Sequence, residues 1–182
     1  MANTPWSQNQ YIKAYQFAAL AHRGQFVPGT DIAYIMHLSF VSMEVIAALR
    51  TEQGHDEDLA VQCALLHDVI EDTETTYQQI SAEFGMTVAE GVLSLSKNKT
   101  LNKSLQMADS LQRIKQQPHE IGMVKLADRV TNLQRPPSAW TKEKMARYQA
   151  EALEIYNALY EASPSLSLRL HKKIVAYNVY FD

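Results

Sequence analysis

The sequence has little of the material that stabilises small proteins by means other than a hydrophobic core. It contains one cysteine, Cys63, among 182 residues, so no internal disulfide can form. Cys63 lies in the apolar run LAVQCALL, which predicts a buried structural thiol with no chemical role. Glycine and proline occur only six times each, and strand-like alternation of apolar and polar residues is absent. The scarcity of helix breakers favours a helical fold.

Positive charge is also scarce. The 17 Lys and Arg residues are outnumbered by 20 Asp and Glu residues, which gives a formal net charge of -3. Binding to a nucleic-acid backbone or to an anionic membrane surface relies on clustered basic residues, so we expect neither partner. Any site for a phosphorylated ligand must therefore be a local feature.

Long apolar runs are missing as well. None approaches the ~20 residues that a membrane-spanning helix needs. The N-terminal segment MANTPWSQNQYIKAYQ lacks the apolar stretch and the cleavage site of a secretory signal. These absences predict a cytoplasmic protein, and they leave its oligomeric state open.

Helical periodicity is what the chain does have, because apolar residues recur at intervals of three and four in nearly every segment. With 46% hydrophobic residues and no linker or repeat, residues 1–182 are predicted to form one all-α domain. Capping residues, glycines and prolines mark where helices begin and end. The predicted long helices cover about 7–22, 35–50, 56–71, 101–117, 119–135, 141–162 and 165–180.

Two shorter helices are predicted on either side of Gly85. Thr76 with Gln79, and Thr87 with Glu90, have the spacing of a capping box, in which each side chain bonds the other's backbone N–H. Each pair therefore predicts a helix start.

The segment ALLHDVIEDTETT, residues 64–76, is the most informative part of the chain. It places His67, Asp68, Glu71 and Asp72 at the end of an apolar helix, where acidic side chains oppose the helix dipole. Residues four apart share a helix face, so His67 should lie over Glu71, and Asp68 over Asp72. Crowded carboxylates repel one another unless a cation lies among them, and His with Asp suits a divalent transition metal. A lone His-Asp pair is more often a solvated helix end, so further ligands are needed.

Two other segments offer such ligands. AYIMHLSF has His37 at the start of an apolar helix, and VKLADRVTNLQ has Asp128 between Leu126 and Val130. Asn132 follows Asp128 by one turn on the same face. An isolated histidine in such a place is more often a capped or surface side chain. An aspartate on a core-facing stripe, however, is uncommon without a partner.

Taken together, these segments resemble a known family. A histidine, a His-Asp pair and a later aspartate, each tens of residues apart, form the pattern of the HD superfamily. The specific matches are AHRGQ at 21–25, YIMH at 34–37, ALLHDVIEDT at 64–73 and KLADRVTNL at 125–133. They look like the hydrolase domain of RelA/SpoT-type alarmone enzymes, especially its small free-standing form. The resemblance covers nearly the whole chain and implies a single HD-domain helical bundle of about eight to nine helices.

The resemblance also implies a catalytic centre. It implies one Mn²⁺ ion held by His37, His67, Asp68 and Asp128, with Glu71 and Asp72 acting on the attacking water. The implied substrate is a small nucleotide with a 3′-pyrophosphate, such as ppGpp. The implied reaction releases pyrophosphate and leaves a nucleoside 5′-di- or triphosphate. Since the chain has no room for the synthetase domain of the long alarmone enzymes, we expect degradation of the nucleotide and not its synthesis.

Substrate contacts follow from the same resemblance. Arg23 is implied to lie near the base and Asn132 near the ribose, while Lys103, Lys144 and Tyr148 are implied to meet the phosphates. The charges of Arg23, Lys103 and Lys144 would supply the local attraction to phosphate that the overall composition lacks.

The sequence departs from the family pattern in two places. Phe26, Val27 and Pro28 stand where the family usually has basic residues, and Leu38 stands where proline usually follows the metal-binding histidine. These changes affect the base and phosphate end of the site. They leave open the choice between guanine and adenine and the number of 5′-phosphates.

Three alternatives stay open at the level of sequence. The first is an HD phosphohydrolase for another nucleotide, such as a ppApp-type alarmone, NADPH, a nucleoside monophosphate or a cyclic dinucleotide. The second is a metal-free binding module that has lost catalysis, and the third is a helical scaffold without a site. The presence of all six metal and catalytic residues disfavours the last two.

Overall fold

The computed structural model describes residues 5–181, and their fold is helical. In that part of the chain, ten α-helices are followed by one 3₁₀ helix, and an isolated antiparallel bridge joins Phe26 to Ala33. The helices are α1 (Gln8–Ala21), α2 (Ile35–Leu49), α3 (Glu57–Leu66), α4 (Val69–Asp72), α5 (Tyr77–Phe84), α6 (Met86–Leu95), α7 (Lys103–Ile114), α8 (His119–Asn132), α9 (Lys142–Leu159), α10 (Pro164–Ala176) and the 3₁₀ helix Tyr177–Tyr180. The prediction of an all-α fold is confirmed.

The helix predicted for residues 56–71 is broken in two. Helix α3 ends at Leu66, and the single turn of α4 begins at Val69. His67 and Asp68 form the turn between them, where Asp68 has φ −102° and ψ −4°. These angles lie at the edge of the α-helical region. The break explains why the described residues form ten helices and not eight or nine.

Capping residues begin several helices. Asp56 accepts a hydrogen bond from the backbone N–H of the third residue of α3. Thr76 and Gln79 form a complete capping box at α5. Ser163 caps α10, and Pro164 occupies its first turn, where its missing N–H is not needed. Local sequence therefore fixes these three helix starts.

The capping box predicted for Thr87 and Glu90 is wrong. Helix α6 begins one residue earlier, at Met86, and no side chain caps it. Gly85 precedes it with φ 90°, a left-handed angle that glycine adopts without a Cβ clash. Because Gly85 alone reverses the chain between α5 and α6, Thr87 already lies inside the helix.

Helix α3 lies at the centre of the core. All of its residues except Asp58 are buried, and it packs against α1, α2, α6 and α8. Cys63 on α3 is completely buried, and burial raises the pKa of its thiol, as expected of a structural cysteine. Helix α8 packs against α2, α3, α9 and α10. The segments with the His-Asp pair and Asp128 are thus rigid neighbours.

The loop between α1 and α2 contains one departure from the family pattern, Phe26, Val27 and Pro28, whereas Leu38 is buried within α2. Val27 N–H donates to Ile32 O at 2.8 Å, next to the bridge between Phe26 and Ala33. This small hairpin-like turn leaves the Phe26 ring 52% exposed. In the part of the chain that the structure covers, no helix combines the length and apolar character needed to cross a membrane.

Candidate active site

Four ionisable side chains meet between α2, α8 and the turn after α3. The Nε2 atoms of His37 and His67 lie 3.4 and 3.8 Å from Asp128 Oδ1. Asp68 Oδ2 lies 2.9 Å from His67 Nε2 and 3.6 Å from His37 Nε2. One candidate ligand atom each from His37, His67 and Asp128 fits within 4.8 Å of the other two. Two imidazoles and two carboxylates therefore surround one small volume.

The backbone explains how four residues from distant segments reach this volume. His37 lies in the first turn of α2, and Asp128 lies on the buried face of α8. His67 and Asp68 are adjacent, and adjacent residues on a regular helix point about 100° apart. The turn between α3 and α4 lets both side chains face the same centre.

Both imidazoles are oriented by a hydrogen bond on the side away from the centre. His67 Nδ1 lies 2.9 Å from the carbonyl oxygen of Ala64, which can only accept. His37 Nδ1 lies 3.5 Å from Thr131 Oγ1, whose hydroxyl donates to Asp128 O. In the neutral rings, Nδ1 therefore carries the proton, and the Nε2 lone pair faces the centre. This is the usual arrangement of metal-binding histidines.

The two carboxylates are oriented as well. The Tyr34 hydroxyl donates to Asp68 Oδ2 at 2.6 Å. Asn132 Nδ2 donates to Asp128 Oδ1 at 2.5 Å, and Lys125 Nζ donates to Asp128 Oδ2 at 3.3 Å. Each carboxylate is thus fixed by donors from its own or a neighbouring helix.

The electrostatics of the cluster favour positive charge at its centre. Burial lowers the pKa of His67, but Asp68 and Asp128 outweigh burial and raise that pKa to about 9. Burial raises the pKa of Asp68, but His67 and His37 outweigh it and lower that pKa to about 2. The pKa of Asp128 is also lowered, because Lys125 and the two histidines outweigh burial. The carboxylates stay ionised, and they attract a proton or a cation.

These residues fit a divalent cation. His67 Nε2 is enclosed, and it makes no hydrogen bond of acceptable geometry although Asp68 Oδ2 lies 2.9 Å away. A buried polar atom without a partner is rare and calls for a ligand. Two imidazole nitrogens with two carboxylate oxygens form a donor set that suits first-row transition metals. His37, His67 and Asp128 can therefore hold one such ion, and Asp68 Oδ2 lies 3.6 and 2.9 Å from the two histidines.

Helix α4 places Glu71 and Asp72 beside this centre, in different surroundings. The Glu71 carboxylate accepts from Lys97 N at 2.8 Å and from Lys97 Nζ at 3.2 Å. The Asp72 carboxylate has no hydrogen-bond partner among residues 5–181, and burial, with Asp68 and Glu71, raises its pKa. Asp72 thus has free oxygen atoms and an increased basicity.

A cleft of about 550 Å³ opens beside Asp72. Arg23 and Gln25 of the AHRGQ segment line one side, and Asp72 and Gln79 line another. Its volume is that of an ordinary small-ligand site. Arg23, predicted to contact the base, is exposed and lines this cleft together with Asp72.

Comparison with known protein families identifies the family to which this site belongs. The family model described as "HD domain" matches residues 14–164, a range that contains all four candidate ligands together with Glu71 and Asp72. The chain belongs to the HD-domain family. The HD pattern predicted from the sequence is confirmed.

Relatives of this HD-domain protein include named nucleotide hydrolases. The Mus musculus protein named guanosine-3′,5′-bis(diphosphate) 3′-pyrophosphohydrolase MESH1 is 32% identical over 158 residues, which cover 82% of this chain and 84% of the mouse protein. The Escherichia coli K12 bifunctional (p)ppGpp synthase/hydrolase SpoT is 35% identical over 153 residues, covering 81% of this chain and 21% of SpoT. A solved structure described as a metazoan ortholog of SpoT that hydrolyses ppGpp shares the fold, with a TM-score of 0.81 at 24% identity over 95% of this chain and 98% of that one. The predicted resemblance to SpoT-type hydrolases is confirmed.

Three of the other predicted substrate residues of this HD-domain protein lie in two places. Asn132 contacts Asp128 and so lies at the centre itself. Lys144 and Tyr148 lie on α9, where both contact Trp140. Lys144 Nζ lies 4.2 Å above the Trp140 ring, and the Tyr148 ring packs edge-on against it at 5.1 Å between centroids. Trp140 therefore holds these two predicted phosphate contacts together.

Lys103 stands apart from this group. It is the exposed first residue of α7, and its side chain has no bonding partner among the described residues. The basic residues that do reach Glu71 come from the preceding loop. Lys97 contacts the Glu71 carboxylate, and Lys99 Nζ contacts Glu71 O at 2.5 Å. The predicted role of Lys103 in phosphate binding stays a prediction.

Sequence reasoning missed several groups around the centre, among them Tyr34, His22 and Lys97. Tyr34 fixes Asp68, and the stacked ring of His22 lies 5.0 Å from Tyr34 between centroids. Tyr34 precedes His37 by about one helical turn, and this spacing could have indicated that the two side chains lie on the same face. Lys97 had no signal, because its position depends on how the loop after α6 folds over α4.

Proposed function

We propose that this HD-domain protein is a metal-dependent hydrolase that removes the 3′-pyrophosphate from ppGpp-type nucleotides, leaving a nucleoside 5′-di- or triphosphate. The observation that carries the proposal is the cation-binding cluster next to the basic carboxylate of Asp72, at the edge of a cleft of nucleotide size. The substrate class is supported by relatives named as 3′-pyrophosphohydrolases. Residues 1–182 are proposed to act as one hydrolase domain.

The proposed cation is Mn²⁺, because this ion accepts both imidazole and carboxylate ligands. When bound, it would supply charge that offsets the phosphoryl oxygens and lowers the pKa of a water molecule. Tyr34 donates a hydrogen bond to Asp68, and Asn132 donates one to Asp128, so that both carboxylates are oriented at the site that would hold the ion. The proposed ligands are His37, His67, Asp68 and Asp128.

Asp72 is the proposed proton acceptor. Its carboxylate oxygens are free of hydrogen bonds within residues 5–181, and its raised pKa strengthens it as a base. It receives the proton of the attacking water at a carboxylate oxygen. Glu71 is proposed to act on the same water, and its carboxylate is available once its contact with Lys97 opens.

The substrate is proposed to lie along the cleft, with its pyrophosphate at the metal centre. Arg23, which lines the cleft, is proposed to contact the base, and Asn132, which donates a hydrogen bond to Asp128, is proposed to contact the ribose. Lys103, Lys144 and Tyr148 are proposed to contact the 5′-phosphates, where charged donors give strong hydrogen bonds.

The test is a substrate panel with purified protein and Mn²⁺. The panel holds ppGpp, pppGpp, ppApp, NADPH, cyclic dinucleotides and ordinary nucleotides, and chromatography resolves the products. We expect release of inorganic pyrophosphate from ppGpp-type nucleotides, which have it at the 3′-position. Cleavage of an ordinary nucleotide or of NADPH, with none of a 3′-pyrophosphorylated one, would show that the HD centre serves another phosphohydrolase reaction.

The exposed ring of Phe26 favours a changed preference among 3′-pyrophosphorylated nucleotides. It follows Gln25, which lines the cleft, and it stands where the family pattern has basic side chains, so base stacking is proposed to replace charge-assisted hydrogen bonds there. Val27→Lys restores one basic group. We expect this variant to change the ratio of kcat/KM for ppGpp to that for ppApp, whereas an unchanged ratio would show that the loop has no part in base selection.

A further inference from the structure

The loop after α6 is attached to Glu71 beside the metal centre. Lys97 N donates to Glu71 Oε2 at 2.8 Å, and Lys97 Nζ lies 3.2 Å from Glu71 Oε1. Lys99 Nζ reaches the backbone oxygen of the same residue. One acidic residue of α4 therefore anchors this loop through three contacts, and Lys97 contributes two of them.

The ammonium group of Lys97 also interacts electrostatically with the carboxylates of the centre. Burial lowers the pKa of Lys97, but attraction from Glu71, Asp128 and Asp68 outweighs burial and raises it. The side chain is still 45% exposed, whereas that of Glu71 is 15% exposed. A positive charge thus lies within electrostatic reach of two candidate metal ligands and remains accessible to a ligand that enters from solvent.

The contact between Lys97 and Glu71 is suited to exchange. An ion pair with one largely solvated partner contributes little net stability, so a stronger anion can replace the carboxylate. A diphosphate with one phosphoryl group at the metal centre extends its second group, with further negative charge, toward the surroundings. Lysine binds phosphate as a point charge and does not require a fixed angle of approach.

We propose that Lys97 is a pyrophosphate-binding residue, which releases Glu71 and takes the distal phosphoryl group of the 3′-pyrophosphate. The inference rests on the proposed function for the identity of the natural ligand. The exchange has two consequences. It selects a diphosphate over a single phosphate, and it frees the Glu71 carboxylate for the attacking water.

The Glu71 carboxylate then competes with pyrophosphate for the ammonium group of Lys97. Removing the charge of Glu71 should strengthen the binding of pyrophosphate, and removing the charge of Lys97 should weaken it. A purely structural role for Lys97 in holding the loop predicts a different result, since either change would break the same anchor and act in the same direction. The sign of the two effects therefore separates the explanations.

The experiment measures the Kd of inorganic pyrophosphate and of inorganic phosphate by calorimetry, on the full chain at a constant free Mn²⁺ concentration. The variants are Lys97→Met, Lys97→Arg, Glu71→Gln and the double variant. Lys115→Met is the control, because Lys115 is an exposed lysine at the far end of α7. Elemental analysis after titration checks that the metal content is equal in all samples.

We expect Lys97→Met to weaken pyrophosphate binding on the order of 10-fold or more, as loss of a charge-assisted hydrogen bond does. Inorganic phosphate should be affected less. Glu71→Gln should bind pyrophosphate more tightly than the wild type, Lys97→Arg should retain part of the affinity, and Lys115→Met should match the wild type. In the double variant, the gain from Glu71→Gln should disappear.

Three results would overturn the inference: no binding of pyrophosphate by the wild type, wild-type affinity in Lys97→Met, or weakened binding in Glu71→Gln. The proposed function fails by a different result, the absence of cleavage of any 3′-pyrophosphorylated nucleotide in the substrate panel. Since inorganic pyrophosphate binding needs no turnover, the two failures are distinguishable.

Discussion

At the scale of single residues, Asp68 lies close to both histidines of the proposed metal centre. Its Oδ2 atom approaches both histidines and accepts the Tyr34 hydroxyl. We expect Asp68→Ala to lose the metal and the activity together, because the change removes a ligand. Tyr34→Phe is the matched comparison, since it removes only the supporting hydrogen bond and should weaken metal binding roughly 10- to 100-fold.

Elemental analysis and turnover of the two variants check this prediction. A stoichiometric metal content in Asp68→Ala would remove Asp68 from the ligand set. Equal metal loss in both variants would mean that Tyr34 acts on more than the orientation of Asp68.

Glu71 and Asp72 are expected to behave differently from the ligands. Asp72→Asn and Glu71→Gln each preserve the shape of the side chain and remove its basicity. We expect each variant to keep its metal and to lose turnover by a factor on the order of 10² or more, as loss of a positioned base does. Metal content and kcat measured on the same preparation test this expectation. If either variant is purified without metal, the substituted residue is a further metal ligand.

At the scale of helices, local sequence predicted most of the starts and ends, because caps and helix breakers act within one turn. The start of α6 could not be read from Thr87 and Glu90, since the left-handed backbone of Gly85 determines it. The break at His67 and Asp68 follows from packing around the centre, and the periodicity of residues 56–71 gives no sign of it. Periodicity reports which face of a helix is apolar, and it does not report where tertiary contacts interrupt that helix.

The residues of the candidate site were likewise predicted only in part from the sequence. His37, His67, Asp68 and Asp128 were predicted because their residue types suit a cation and because the segments that contain them resemble the HD family. Asn132 was found through its helical spacing from Asp128. Lys97 escaped prediction because lysines are common in loops, and only the fold brings this one to Glu71.

Close packing of α8 against the end of α9 gives a prediction for stability. A Cβ atom added at Gly122 would lie 2.6 Å from the Cβ of Ala162 and 3.9 Å from Leu159 Cδ2. Since the first contact is too short, one of the two segments must move. We expect Gly122→Ala to reduce the free energy of unfolding by about 1–3 kcal/mol, the usual range for overpacking. Chemical denaturation measures this difference.

The double variant Gly122→Ala/Ala162→Gly is the control, because it restores the space while keeping the same atoms in total. It should recover part of the lost stability. A single variant as stable as the wild type would show that α8 and α9 separate at no cost.

At the scale of the whole molecule, the proposed ion connects α2, α8 and the turn after α3. A ligand that binds only the folded state stabilises it by about 2.7 kcal/mol at one hundred times its Kd. For a protein of this size we expect Mn²⁺ to raise the Tm by roughly 5–10 °C over the chelated protein. Thermal unfolding with and without chelator gives the shift, and Asp68→Ala should not show it.

The shift should also depend on pH. In the metal-free protein the pKa of His67 is about 9, above the ordinary value of 6.5. Its protonation therefore stabilises the fold fully below pH 6.5, and this contribution is lost as the pH rises through 9. Because the cation displaces that proton, the rise in Tm caused by Mn²⁺ should be greater at pH 8.5 than at pH 6.5. A smaller rise at pH 8.5 would contradict the pKa direction of His67.

The order in which the four ligands occur along the chain has a consequence for biosynthesis. His37, His67 and Asp68 are synthesised first, and Asp128 on α8 leaves the ribosome only after the helices between Asp68 and α8 have been made. The nascent protein therefore cannot hold the ion with its full set of proposed ligands before α8 has emerged. Metalation with all four ligands is expected to follow the synthesis of α8, at the free metal concentration that the chain then encounters.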